Sequence, residues 1–167
     1  MDNTKFKRLL FDIACSSVAC DGHIDDREIR ELKYIDKSTT YFEDIDMSKK
    51  LRRFIGNFKS SPDETINEIV ENLKEAILNP VEEMMVLEIV LRLVYADTKI
   101  DEKEIGFIQN IYGCLSLDDE ITTQRFGVID FLINTKENIA SSDKIESVNM
   151  ASLENMYADF GDKREKK

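Results

Sequence analysis

The stretch VACDGHIDDREI at residues 18–29 recurs 76 positions later as VYADTKIDEKEI at residues 94–105, and this repetition decides the fold. Each copy lies where one helical pattern of apolar residues ends and the next begins. The recurring positions are Asp21, Ile24, Asp25, Glu28 and Ile29 in the first copy and Asp97, Ile100, Asp101, Glu104 and Ile105 in the second. The chain is therefore predicted to contain two pseudo-symmetric helix–acidic loop–helix repeats.

Helical periodicity extends outward from both copies. Apolar residues recur every three or four positions from about residue 3 to 20 and again from Asp25 onward. The stretch 81–96 is apolar on nearly all sides, which is typical of a central, buried helix. Further helix starts are predicted from capping residues and prolines at Ser48, Ser61-Pro62, Asn79-Pro80 and 116–120.

The last third of the chain is less regular. After residue 120 the apolar residues fit either one long helix or a broken one, and a terminal helix is predicted from Val148 to Phe160. Together the patterns predict an all-α fold, a compact bundle of about seven to eight helices. We expect a single domain over residues 1–160 and a charged C-terminal tail at 161–167.

The charge balance narrows the choice of partners. The 167 residues include 23 Lys and Arg against 34 Asp and Glu, a formal net charge of −11 with the one histidine neutral. Such a charge opposes nonspecific binding to nucleic acid or to an anionic bilayer and favours cations or basic protein surfaces. With 34% charged residues the composition also excludes a transmembrane segment. The chain has three cysteines, an odd number, and its first residues do not form an apolar signal segment. Both features predict a cytoplasmic protein.

The repeated acids allow two interpretations. In the first, Asp25 with Glu28 and Asp101 with Glu104 form capping boxes, in which the aspartate accepts a backbone N–H and the glutamate folds back to the cap. In the second, the pattern Asp-Gly-X-Ile-Asp-X-X-Glu is half of a calcium-binding EF-hand loop. The early loop positions, however, would be Ser17 and Ala19 in the first copy and Leu93 and Tyr95 in the second. Tight EF-hand binding is therefore not expected, which leaves weak binding of calcium or magnesium, or one ion held between the two copies, beside the capping interpretation.

Catalytic signatures are not found in the sequence. It has no Gly-rich phosphate loop and no serine elbow, and the single His23 rules out a histidine-rich zinc centre. The carboxylate pairs that could serve hydrolysis are explained at helix caps. We therefore expect no enzymatic activity.

With these residues in view, the paired pattern resembles the tellurite-resistance TerB-like family, which also includes the cytoplasmic helical segment of the DjlA-type co-chaperones. The resemblance covers roughly Phe6 to Glu120. It implies about seven helices with internal twofold similarity, a divalent-metal role for the acidic loops, and participation in stress-response complexes near the membrane. The matching metal positions are Asp21, Asp25, Glu28, Asp97, Asp101 and Glu104. The second copy departs from the pattern at Thr98, where the first has Gly22 and a left-handed turn would disfavour threonine.

The sequence thus predicts a non-catalytic binding module. Its six acids are expected to bind a divalent cation weakly, or an unidentified protein partner, and it is expected to associate peripherally with membrane complexes and not with nucleic acid. The alternative is a purely structural protein–protein interaction scaffold in which the acids only cap helices.

Overall fold

The structure, a computed structural model, describes residues 2–139, which form helices and no strand. This confirms the all-α prediction. Seven α-helices and one short 3₁₀ helix are defined in the described residues. They are α1 (Asn3–Ala19), α2 (Asp26–Ser38), α3 (Met47–Ser60), α4 (Pro62–Glu75), α5 (Pro80–Val94), α6 (Glu102–Cys114), α7 (Asp119–Phe126) and the 3₁₀ helix Asp130–Leu132.

The chain divides into two units after Ile133. The first unit contains every helix named above. Of the second, residues 134–139 are described, and 135–139 are helical. The predicted domain over 1–160 and the tail at 161–167 extend beyond the described residues and stay predictions, and the predicted helix from Val148 to Phe160 lies outside them.

The core is centred on α1 and α5, which pack against each other. Both helices are buried on several sides, as the nearly continuous apolar sequence of α5 predicts. Helix α2 packs on α5 and helix α6 packs on α1, so each half of the repeat covers the central helix of the other half. Helices α3 and α4 cover the remaining side of α1.

The repeat predicted from sequence is present in the fold. Helices α2 and α6 both have 13 residues, and their first and last residues are related by the same offset as the two sequence copies. The preceding helices α1 and α5 end within one residue of that offset. The two helix–acidic loop–helix units therefore occupy matching positions in the chain, and their second helices have the same length.

Two of the predicted helix starts are not capped by the serine side chain that the sequence indicated. Asn79 and Glu82 form a capping box at α5, as the Asn-Pro signal indicates. The prediction that Ser48 caps α3 is wrong. The helix begins at Met47, and the Asp46 carboxylate accepts the Lys49 N–H. Ser61 precedes α4, but its side chain makes no capping hydrogen bond there.

The region after residue 116 forms a broken helix and not a long one. Helix α7 is capped by Asp118 and runs for 8 residues to Phe126. Gly127 follows with φ +80°, in the left-handed region where a non-glycine residue would be strained. The helical direction is lost at this glycine, and the 3₁₀ helix follows.

Candidate functional site

The predicted capping boxes are present in both acidic loops. At α6 the Asp101 carboxylate accepts the Lys103 and Glu104 N–H groups at 2.8 and 2.9 Å, and Glu104 accepts the Asp101 N–H at 2.7 Å. At α2 Glu28 accepts the Asp25 N–H at 3.3 Å, and Asp25 accepts the Arg27 N–H at 2.6 Å. Four of the six predicted site residues therefore have a structural role that the local sequence explains.

The two loops also contact each other, and they do so reciprocally. The Arg27 guanidinium of the first copy lies 2.8 Å from the Asp97 carboxylate of the second. At the equivalent position of the second copy, the Lys103 ammonium group donates to the backbone oxygen of Asp21 at 3.4 Å. The exchange of partners is what a pseudo-twofold axis between the loops requires. We call the surface formed by residues 21–28 and 97–104 the acidic junction.

Arg27 is the most highly connected side chain of the acidic junction. Its guanidinium holds both oxygens of Asp25, at 3.0 and 3.1 Å, while it also reaches Asp97. These hydrogen bonds lower the pKa of Asp25 to about 2. The carboxylate therefore stays ionised, and its charge is already balanced by a cation from the same chain.

The two turns follow different backbone paths. Gly22 has φ +91° with open space around its α-carbon, so its conformation, and not crowding, explains the glycine. Thr98 is not among the described residues with positive φ. The second loop avoids the left-handed turn, and Asp97 accepts both the backbone N–H and the hydroxyl of Thr98 instead. The substitution of threonine for glycine therefore introduces no backbone strain.

The two glutamates are the buried acids of the junction, only 5% exposed at Glu28 and 6% at Glu104. Burial raises the pKa of Glu28 to about 8, and the negative charge of Glu104 adds to the effect. Burial likewise raises the pKa of Glu104. Cys20 lies close to both, and burial together with the Glu104 charge raises the pKa of its thiol to about 12. The interior of the junction thus disfavours any additional negative charge.

The junction is not an EF-hand. Ser17 and Ala19 lie inside α1 and are buried, and Leu93 lies inside α5, so the first half of a calcium loop is helical in both copies. Ser17 uses its hydroxyl to donate to the Ile13 backbone oxygen. Helical, buried residues cannot supply the early ligands of the 12-residue loop.

The geometry offers no preformed chelate for a metal ion. Carboxylate oxygens are the donors that calcium and magnesium prefer. Within residues 2–139, however, no three Asp, Glu, His or Cys side chains are placed so that they could hold a metal ion. Every fully buried side-chain nitrogen and oxygen in this part of the chain also has a hydrogen-bond partner.

A comparison with protein families decides the relationship. The model of the family described as "Tellurite resistance protein TerB" matches residues 10–125, more than half of the chain. The chain belongs to the TerB family. No curated protein and no solved structure shows significant similarity to it.

The TerB match spans both acidic loops and all seven α-helices except the first residues of α1 and the last of α7. No helix in the described part of this TerB-family chain is long and apolar enough to cross a bilayer. The two cations that reach across to the opposite loop, Arg27 and Lys103, were not predicted, because only the acids of the two copies were compared. The same offset would have found it, because both copies have a cation two residues after the capping aspartate.

Proposed function

We propose that this TerB-family chain is a non-catalytic, cytoplasmic stress-response module that acts through the acidic junction. The junction would bind a basic protein partner, a divalent cation, or both, and the cation would be calcium or magnesium held weakly. The observation that carries the proposal is the reciprocal pairing of the loops. It brings two acidic loops from distant parts of the chain together, with Asp21, Asp25, Asp97 and Asp101 partly or fully exposed and Glu28 and Glu104 buried.

Electrostatics supports a cationic ligand. The six acids face three cations of the same two loops, Arg27, Lys99 and Lys103, so an excess of negative charge remains. Glu28 and Glu104 are both buried, and the charge of Glu104 contributes to the raised pKa of Glu28, so repulsion opposes the ionisation of both. A cation at this surface would reduce that repulsion.

The existing contacts explain why a metal ion would bind weakly. Both oxygens of Asp25 are held by Arg27, and one oxygen each of Asp101 and Glu104 accepts backbone N–H groups. A calcium ion takes six to eight oxygens. It would have to share these groups with their present donors, which lowers its affinity.

The alternative function is that of a structural interaction scaffold. The two complete capping boxes favour it, because they give the acids a purpose that needs no ligand. In that case partners would use another surface, and the acidic junction would only join the two halves of the fold.

Thermal melting with added metal separates cation binding at the junction from the structural scaffold. With a dissociation constant of about 1 mM, 10 mM metal would add about 1.4 kcal/mol of stability and raise the Tm by roughly 3–6 °C. We expect such a rise with calcium or magnesium and its loss in the double variant Asp21→Asn, Asp97→Asn.

The matched control is Asp26→Asn with Glu102→Gln. These residues occupy equivalent exposed positions in the same helix starts, and they take no part in the cross-loop contacts. The control should keep the rise in Tm. No rise in the wild type with calcium, magnesium, manganese or zinc would eliminate the cation and leave the partner to be tested separately.

A further inference from the structure

An apolar groove of about 310 Å³ lies between the end of α5 and the segment that follows α7. Its apolar lining consists of Leu91, Tyr95, Phe126, Val128 and Ile129. Tyr95 is 52% exposed and Val128 is 69% exposed, although both are large hydrophobic side chains. Exposed apolar side chains beside a groove are the surface that helix-in-groove recognition uses.

The charged rim of the groove is neutralised within the chain. Glu88 lies 3.4 Å from Arg125 and 3.9 Å from Arg92. Arg92 also forms an ion pair with Glu31 at 2.8 Å, and its guanidinium lies 6.0 Å from the centre of the Tyr34 ring. Two cations and two anions therefore satisfy each other, so the groove itself would select apolar side chains.

The acidic junction begins where the groove ends. Tyr95 is separated from Asp97 by one residue, so their α-carbons are at most about 7 Å apart. The first repeat has no such groove residue, because its equivalent of Tyr95 is Ala19, which is fully buried. An exposed aromatic side chain thus lies beside an acidic loop only in the second copy.

We propose that the groove and the acidic junction together form a docking site for a basic amphipathic helix of another protein. The groove residues of α5 run from Glu88 to Tyr95, a length of about 10 Å, which matches two turns of a bound helix. Apolar residues of the partner would fill the groove, and its Lys or Arg side chains would lie over the carboxylates of Asp97 and Asp101. The proposal rests on the proposed function for its charged half.

Charge complementarity selects this occupant. A second copy of the chain would bring a net charge of −11 to an acidic surface. Its basic helix, α3, buries its apolar residues Phe54 and Phe58 in its own core and so could not fill the groove. Residues 148–160 contain Glu154 and Asp159 and no Lys or Arg, and the cations of the tail (Lys163, Arg164, Lys166 and Lys167) follow that stretch instead of alternating with its apolar residues as they would in a basic amphipathic helix.

The test uses the full chain and a fluorescein-labelled peptide of about 14 residues, with Leu at helical spacing and Lys at the other positions. The control peptide has Glu in place of Lys. Anisotropy titrations at physiological salt should show binding of the Lys peptide and at least about tenfold weaker binding of the Glu peptide, a difference of about 1.4 kcal/mol.

Two sets of variants separate the two halves of the site. Tyr95→Ser with Val128→Ser should weaken binding of the Lys peptide at least about tenfold, and so should Asp21→Asn with Asp97→Asn. The control Asp63→Asn with Glu64→Gln removes as much charge from the exposed start of α4 and should bind like the wild type. Because the substituted groove residues are exposed, their variants should melt close to the wild-type temperature.

The outcomes are distinguishable. If the groove variant binds the peptide like the wild type while the junction variant is weakened, the groove proposal is wrong and the proposed function stands. If the junction variant and added salt leave binding of the Lys peptide unchanged, the charged half of the proposal is wrong and the junction does not bind a basic partner, while the melting experiment decides the divalent cation. A concentration-dependent dimer in sedimentation that the groove variant abolishes would assign the groove to a second copy and overturn the proposal.

Discussion

Replacing Glu28 by glutamine should change how the stability of the protein depends on pH. Burial beside Glu104 raises the pKa of Glu28 to about 8 in the folded chain, whereas an ordinary glutamate has a pKa of 4.5. Between these pH values the folded chain binds a proton that the unfolded chain has released. The stability contributed by this proton is complete below pH 4.5 and is lost as the pH rises through 8.

The size of the effect follows from this difference. Each pH unit between the two pKa values is worth about 1.4 kcal/mol, but the neighbouring aspartates are open to water and salt, which weakens their repulsion. We therefore expect about 2 kcal/mol between pH 5 and pH 9, or roughly 4–8 °C in Tm. Glutamine resembles the protonated acid and can still accept the Asp25 N–H, so Glu28→Gln should be near neutral at pH 5 and stabilising at pH 9.

The assay is thermal and urea unfolding followed by circular dichroism at intervals from pH 5 to pH 9, at constant ionic strength. Asp26→Asn, at an exposed position of the same helix start, is the control and should follow the wild-type pH profile. If the Glu28→Gln curve runs parallel to the wild type over the whole range, Glu28 does not carry a raised pKa, and our account of the junction's interior is wrong.

Five further substitutions test the fold. Asp101→Ala should cost about 1 kcal/mol in urea unfolding, because two backbone N–H groups lose their acceptor, while Asp101→Asn should retain most of the stability. Gly22→Ala should destabilise the protein by about 1 kcal/mol, because Gly22 has a positive φ. Gly106→Ala should stabilise it by about 0.5–1 kcal/mol, because Gly106 lies inside α6 with open space around it. Equal effects of the two substitutions on Tm would contradict this reasoning. Leu10→Ala, at a fully buried position of α1, should cost about 3 kcal/mol, and a loss below about 1 kcal/mol would show that α1 is not part of the core.

Local interactions explain why much of the fold could be predicted. A capping box joins residues three positions apart, so Asp101 and Glu104 encode it without help from the rest of the chain. The same holds for the Asn79-Pro80 start and for the apolar pattern of α5. The prediction was wrong at Ser48, because Asp46 caps α3 two residues earlier, whereas α4 does begin at Pro62 as predicted but without a capping hydrogen bond from the Ser61 side chain.

The candidate site could be predicted only in part. The six acids were found because they recur, and they lie in the equivalent loops before α2 and α6 and in the first turns of these two helices. The burial of Glu28 and Glu104 could not be predicted. From the pattern of polar and apolar residues alone, an acid at a helix start is expected to face solvent. The groove at Tyr95 was also missed, because its wall comes from two segments that are far apart in the chain.

The sequence by itself determined the helices, their caps and the duplication, because each of these depends on residues within a few positions of one another. Only the tertiary structure decided that the two acidic loops meet, with Arg27 reaching Asp97 and Lys103 reaching Asp21. That meeting requires α1 and α5 to pack side by side, a contact between residues far apart in the chain. Side-chain spacing along a helix specifies which face is apolar, but the partner for that face is selected by packing of the whole core.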